Sequence, residues 1–287
     1  MKVQNLPPKR DNLTIDSHQH FWKYDSGKHF WIKEEMKLIR KDFLPEDLLP
    51  VLKRNHIDGC VAVQVEHNEQ ETEFLLHCAA EYDFIKGVVG WVDLSSEDLA
   101  EHLERFSMDG KFKGIRHTEY DKKGEFLLDP SFRKGIRKLQ EFEFTFDLLV
   151  LPHQLQPAIA LVREFPNQPF VLDHLGKPAI TAGPSREWAA QMKELGACKN
   201  VFAKLSGMVT ETSNLKWKPG DFDPFLDVML YSFGTSRLMF GSDWPVCTAA
   251  AGYEEVTCIL KTYFEAFSKN EQDAIFGTNA ARFYRLP

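Results

Sequence analysis

Eight short apolar runs punctuate the chain, at 14–19, 59–65, 84–91, 112–117, 144–150, 169–173, 201–206 and 237–242, each of strand length. Longer amphipathic stretches separate them. Leu99, Leu103 and Phe106 fall on one face of a helical pattern, Phe132, Ile136 and Leu139 on another, and Glu187 to Leu195 follow the turn at Gly183-Pro184. A strand followed by a helix, repeated, requires parallel pairing through right-handed crossovers. Eight such units in roughly 250 residues fit a closed barrel more economically than an open sheet. The pattern predicts an α/β protein, a single (β/α)8 barrel domain spanning 1–287 in which 1–12 form an N-terminal extension. No Pro/Ser-rich linker, composition break, repeat or low-complexity segment interrupts it.

Composition narrows the partners. With 287 residues, 43% of them apolar and 23 of them Phe, the chain can bury a large core. A net charge of −7, with acidic and basic residues interspersed, offers no basic stripe for phosphates; nucleic acid is disfavoured as a partner, leaving small molecules or a homo-oligomer. Cys60, Cys78, Cys198, Cys247 and Cys258 are widely spaced and lack C-x-x-C, which argues against a disulfide framework or a thiolate zinc site and fits a reducing cytoplasm. Lys2, Pro7, Pro8, Lys9 and Arg10 stand where a secretory leader would be apolar, and no run of about 18 apolar residues occurs, so secretion and membrane spanning are disfavoured.

In a barrel of this kind reactive groups sit at the C-terminal ends of strands. His18 and His20 end the first run, and because residues i and i+2 of a strand project to one face, their imidazoles can meet at one point. Gln64 and Glu66 end the second run, Trp91 the third, and Arg116 and His117 the fourth. Asp147 lies inside the fifth, Asp173 and His174 end the sixth, Ser206 the seventh and Asp243 the eighth. Any one of these has an ordinary structural use, such as an Asp capping the next helix. Together, His18, His20, His174 and Asp243 point to a metal or catalytic centre.

Several segments also carry a family resemblance. Ile15-Asp16-Ser17-His18-Gln19-His20-Phe21-Trp22, Gly114-Ile115-Arg116-His117, Leu172-Asp173-His174-Leu175-Gly176-Lys177-Pro178, Phe240-Gly241-Ser242-Asp243-Trp244-Pro245 and the tail Ile275 to Tyr284 resemble the amidohydrolase superfamily. More narrowly they are similar to its lactonase branch, which includes L-fuconolactonases, L-rhamnonolactonases and pyrone-dicarboxylate lactonases. The resemblance implies a (β/α)8 barrel and hydrolysis of a lactone ring in carbohydrate metabolism. It implies that His18, His20 and His174 are metal ligands or carbonyl polarisers, and that Asp243 is the general base for the attacking water.

The chemistry gives the same residues work. Lactone opening needs an activated water and a stabilised oxyanion. Three imidazoles and the Asp243 carboxylate suit one divalent ion with an open position, zinc or manganese, and Asp243 can take the water proton and return it to the leaving alkoxide. Members of the branch that work without metal leave open direct polarisation by the histidines. No lysine is placed to carry a bridging carbamate, since Lys113 and Lys204 sit inside their strands, so one metal is expected rather than two. For the substrate, Arg116 could fork onto a carboxylate or ring oxygen, or pair with Glu66 or Asp147. Gln64, Glu66, His117 and Asp147 could read sugar hydroxyls, while Trp22, Trp31, Trp91 and Trp244 offer flat apolar surfaces. With only Arg116 and His117 as cations at strand ends, a neutral deoxy-sugar lactone such as L-fuconolactone is favoured. The alternatives are a pyrone dicarboxylate, or a decarboxylase on the same scaffold.

Overall fold

A computed structural model describes residues 13–118, 123–180 and 183–287; the expected N-terminal extension, 1–12, lies outside the described residues. Eight parallel strands pair in chain order: β1 (Ile15–Gln19), β2 (Gly59–Val63), β3 (Ile85–Gly90), β4 (Phe112–His117), β5 (Thr145–Leu148), β6 (Phe170–Leu172), β7 (Val201–Leu205) and β8 (Leu238–Phe240). Each falls inside the apolar run that predicts it. The crossovers carry α1 (Pro45–Asn55), α2 (Glu69–Glu81), α3 (Leu99–Ser107), α4 (Pro130–Glu141), α5 (Leu155–Glu164), α6 (Arg186–Ala197) and α7 (Asp223–Phe233), and α8 (Tyr253–Tyr263) follows β8. Side-chain caps start three of them, from Asn68, Asp129 and Ser185, each accepting a first-turn N–H. No helix among the described residues is long and apolar enough to cross a membrane.

Strand alternation sorts two cores. Outward residues such as Ile85, Val88, Ile115, Phe146, Phe170 and Leu205 are buried against the helices. Inside the barrel, Ile15, Val61, Val63, Val89, Val171 and Met239 meet Ala280, Phe283 and Tyr284 from the C-terminal segment. Two residues beyond these interior positions the chain turns polar: Val171 leads to Asp173, Met239 to Gly241 and Asp243, and Phe202, packed on the inner cluster, to Lys204 and Ser206. On β1 the parity changes, since Ile15 and His18 both face inward. A register slip between Asp16 and Gln19 absorbs the extra residue, a local irregularity of the kind that re-aims side chains beside active sites.

The circle closes where β8 meets β1. Asp243 N–H donates to the His18 carbonyl at 2.8 Å, His20 N–H to the Trp244 carbonyl at 2.7 Å, and the Ser17 hydroxyl to the Phe240 carbonyl at 2.6 Å. Asp16, fully buried, clasps the same seam. Its Oδ1 accepts the N–H groups of Ser242 (2.9 Å) and His18 (3.1 Å), and its Oδ2 accepts the hydroxyls of Ser242 (2.6 Å) and Tyr253 (2.9 Å). Burial pushes this carboxyl up to about 6, with those donors pulling the other way. Asp16→Ala strands several buried donors and should cost about 3 kcal/mol of stability, read as a lower midpoint in urea. An unchanged midpoint would leave the seam to its main-chain bonds alone.

Candidate active site

The strand ends open into a cavity of about 750 Å³ whose floor is His20, Arg116, His174 and Asp243. His18 lies just beneath, wholly buried. Its Nε2 is 3.2 Å from His20 Nε2 and 3.8 Å from Asp243 Oδ1, and Asp243 Oδ1 is 3.3 Å from His20 Nε2 and 3.9 Å from His174 Nε2. Local backbone aims these groups. His174 and Asp243 both adopt left-handed φ, 52° and 59°, a strained conformation for side-chain-bearing residues that directs them inward from the ends of β6 and β8. Two glycines make room: a Cβ on Gly241 would lie 2.8 Å from His18 Cβ, and one on Gly207 would lie 2.5 Å from His174 Nδ1.

Burial lowers all three imidazoles below their ordinary value, so they are neutral near pH 7. Asp243 stands below the usual carboxylate range. Burial would push it up, but its neighbours His174 and His20 and the Lys177 ammonium together outweigh that effect. A carbonyl only accepts, so the His20 contact with Val63 O at 2.7 Å fixes Nδ1 as the donor and leaves a bare lone pair on Nε2. His174 Nδ1 meets the Ser206 hydroxyl at 2.9 Å.

Two residues that the sequence reading left out of the site, Asp173 and Lys204, lie immediately below it. Lys204 is fully buried in the barrel interior, its Nζ in contact with Asp147 Oδ2, 3.0 Å from Asp173 Oδ1 and 3.1 Å from His18 Nδ1. Asp173 Oδ1 also stands 3.3 Å from His18 Nδ1, and its Oδ2 takes Arg116 Nη1 at 3.3 Å. The period-two pattern of β7, with Phe202 and Ser206 on the same face, was the signal that Lys204 points inward.

The other sequence-predicted residues divide. Glu66 is on the cavity wall, paired with Lys28 at 3.0 Å. Gln64 is buried behind the floor; its side chain and carbonyl hold Arg116, which pairs with Asp173 and not, as expected, with Glu66 or Asp147. Asp147 is sealed below the floor by Lys204 and Tyr284 and cannot read a substrate hydroxyl. Trp22 and Trp244 are also not at the cavity. The segment after β1 folds back, so both pack on Phe43 in the core, and Trp22 Nε1 donates to the Lys41 carbonyl. Trp91 and His117 are joined by a 3.1 Å hydrogen bond and stack behind His67, which is the member of that group lining the wall. Trp31 does line the cavity.

The donor set fits a divalent cation. Ligand atoms of His18, His20 and Asp243 lie within 4.8 Å of one another, as do those of His18, Asp173 and His174, and the bare Nε2 of His20 faces a carboxylate with no proton of its own to offer.

A parallel eight-stranded barrel with two histidines after β1, one after β6 and an aspartate after β8 defines a hydrolase-type centre, and residues 15–286 match the amidohydrolase family as a whole. The chain belongs to that family. It is 38% identical over 290 residues to an L-fucono-1,5-lactonase of Burkholderia multivorans, covering 96% of this chain and 97% of that protein. An L-fucono-1,5-lactonase of Burkholderia ambifaria is 35% identical over 279 residues, with 95% of each covered. A crystal structure of an amidohydrolase from Burkholderia multivorans with bound zinc superposes with a TM-score of 0.92 at 38% identity, covering 96% of this chain and 100% of that one.

Because Gly207 has φ +68° and abuts His174, Gly207→Ala should destabilise the protein by about 1–2 kcal/mol and turn His174 away from Ser206. Thermal unfolding and a crystal structure of the variant check both parts. An unmoved His174 would show that the ring is held by contacts other than this close approach.

Proposed function

We propose that this protein hydrolyses the ring of a neutral sugar lactone, a six-carbon deoxy-aldonolactone such as L-fucono-1,5-lactone. Asp243 carries the reading: an ionised, buried carboxylate at the floor of a cavity, beside neutral imidazoles and a fixed guanidinium. Its Oδ accepts a proton from water as the water oxygen attacks the lactone carbonyl carbon. The carbonyl oxygen gains charge beside Arg116, which Gln64 and Asp173 hold in place. The ring C–O bond then breaks, and the proton on Asp243 passes to the leaving alkoxide, giving the open hydroxy acid. A divalent cation such as zinc, held by His18, His20 and Asp243, would add Lewis acidity toward the carbonyl or acidify the water.

Charge on the wall supports a neutral substrate. Lys28 pairs with Glu66, Lys177 with Glu211, and Arg116 with Asp173, while exposed Lys33 and Glu35 add one charge of each sign. A dicarboxylate would have to displace these carboxylates from their partners. A sugar ring meets both donors and acceptors without doing so.

Asp243→Asn keeps side-chain volume but cannot take the water proton, so turnover should fall at least about a hundredfold with the circular dichroism spectrum unchanged. Near wild-type turnover by a folded variant would remove Asp243 from the mechanism. In a panel of lactones followed by proton release, inverting one ring hydroxyl should cost a few kcal/mol in kcat/KM, about a hundredfold, because wall groups committed to that hydroxyl are left unpaired. Higher kcat/KM on a pyrone dicarboxylate than on every six-carbon aldonolactone tested would overturn the substrate assignment.

A further inference from the structure

Lys204 has no place in the steps above, yet it is a charged side chain at 0% exposure directly beneath His18. An ammonium has three N–H donors and no acceptor. Three acceptors surround Nζ: Asp147 Oδ2, Asp173 Oδ1 at 3.0 Å and His18 Nδ1 at 3.1 Å. Tyr284 supports this arrangement from below, donating its hydroxyl to Asp147 Oδ2 at 2.8 Å and placing its ring 5.5 Å from Nζ. All three contacts of the ammonium are attractive only when His18 Nδ1 accepts, which puts the imidazole proton on Nε2. That proton has a receiver, since His20 Nε2, bare because Nδ1 donates to Val63, lies 3.2 Å away.

Two neighbours favour the other tautomer. Asp173 Oδ1 could accept from Nδ1 at 3.3 Å, and Arg116 Nη1 could donate to Nε2 at 3.3 Å. Both contacts are longer, and both groups have other partners: Asp173 Oδ1, which has no hydrogen bond of its own, is paired with the Lys204 ammonium at 3.0 Å, its Oδ2 takes Arg116, and Arg116 is also held by Gln64. With the proton on Nδ1, by contrast, the Lys204 ammonium would face an N–H, and two bare Nε2 atoms would face each other. We propose that Lys204 is a positioning residue which holds His18 with its proton on Nε2, so that the chain's own hydrogen bonds satisfy the cluster and a divalent cation is held only weakly. For His18 to become a ligand its proton must move to Nδ1, toward Asp173, against the Lys204 charge.

The inference builds on the site read above as a lactonase centre, but its test uses no lactone, so the two readings can fail separately. Long-range proton–nitrogen NMR of the metal-free, full-length protein labelled in histidine reports which nitrogen of His18 is protonated, with His18 assigned by the signal lost in His18→Gln. Zinc affinity is measured by competition with a chromophoric chelator in wild type, in Lys204→Met, and in Lys204→Met with Asp147→Asn, where a buried positive and a buried negative charge are removed together. The wild type should show the proton on Nε2. Either folded variant should show it on Nδ1 and bind zinc at least about tenfold more tightly. A wild-type proton on Nδ1, an unchanged zinc affinity in a folded variant, or tighter binding with the proton still on Nε2 would each overturn the proposal, the last leaving only charge repulsion.

Discussion

The whole site depends on one seam, where β8 is brought against β1. His20 and Asp243 are separated by 223 positions in sequence, and nothing local brings them together. The bonds that close the circle are made by the site residues' own main chain: the amide of Asp243 to the carbonyl of His18, and the amide of His20 to the carbonyl of Trp244. Closure and assembly of the centre are therefore one event. The left-handed backbone at His174 and Asp243 stores strain there, and burial of apolar side chains between sheet and helices supplies the stabilisation that offsets it.

Below the seam, the barrel departs from what its architecture favours. A (β/α)8 interior is usually filled by layers of branched apolar residues, and here that holds only for the lower layer of Ile15, Val61, Val63, Val89, Val171 and Met239. The layer above contains Asp147, Asp173, Lys204 and Arg116, all buried. Removing such groups from water is unfavourable by several kcal/mol per ion, and pairing recovers this only when the remaining donors and acceptors are met. The ammonium between two carboxylates and the guanidinium shared by Gln64 and Asp173 meet them only in part, leaving Oδ1 of Asp147 and Oδ1 of Asp173 without a hydrogen bond. Burial raises the carboxyl of Asp147 to about 6 despite the adjacent ammonium, whereas Asp173, with Lys204, His18 and Arg116 all around it, is held well below the usual range in spite of its burial. The layer is better understood as a mount for His18 and Arg116 than as a source of stability.

Much of this was legible in the sequence, for a definite reason. Parallel strands covered on both faces are continuous apolar runs, so β1 to β8 announce themselves, and a chemistry-bearing residue at the end of such a run has to face the barrel mouth. His20, Arg116, His174 and Asp243 were found in this way, with His18 just below them. The misses lie where contacts are long-range or parity is hidden. Trp22 and Trp244 follow strand ends as catalytic residues do, yet the fold-back after β1 takes both into the core beside Phe43. Gln64 and Asp147 are in register with the site but one layer too deep. Lys204 was visible as a lysine inside a strand; that it faces inward follows from its neighbours two positions away, and that it touches His18 does not follow from sequence at all.

Floor and rim of the cavity are built by different means. The floor residues come from strand ends and are fixed by buried bonds. The rim pairs come from connections between elements: Lys28 with Glu66 joins the segments after β1 and β2, and Lys177 with Glu211 those after β6 and β7. The Lys28 side chain is 59% exposed, and ion pairs so open to water contribute about 0–1 kcal/mol to stability. Stability is therefore a poor explanation for placing the Lys28–Glu66 pair beside a cavity. Each pair presents donors and acceptors side by side with no net charge, and Asn68 extends the first pair by donating to Glu66 at 2.7 Å. Substitutions in these connections can change the donors and acceptors around the cavity without disturbing the seam, the charged layer beneath it, or the Asp243 carboxylate at the floor.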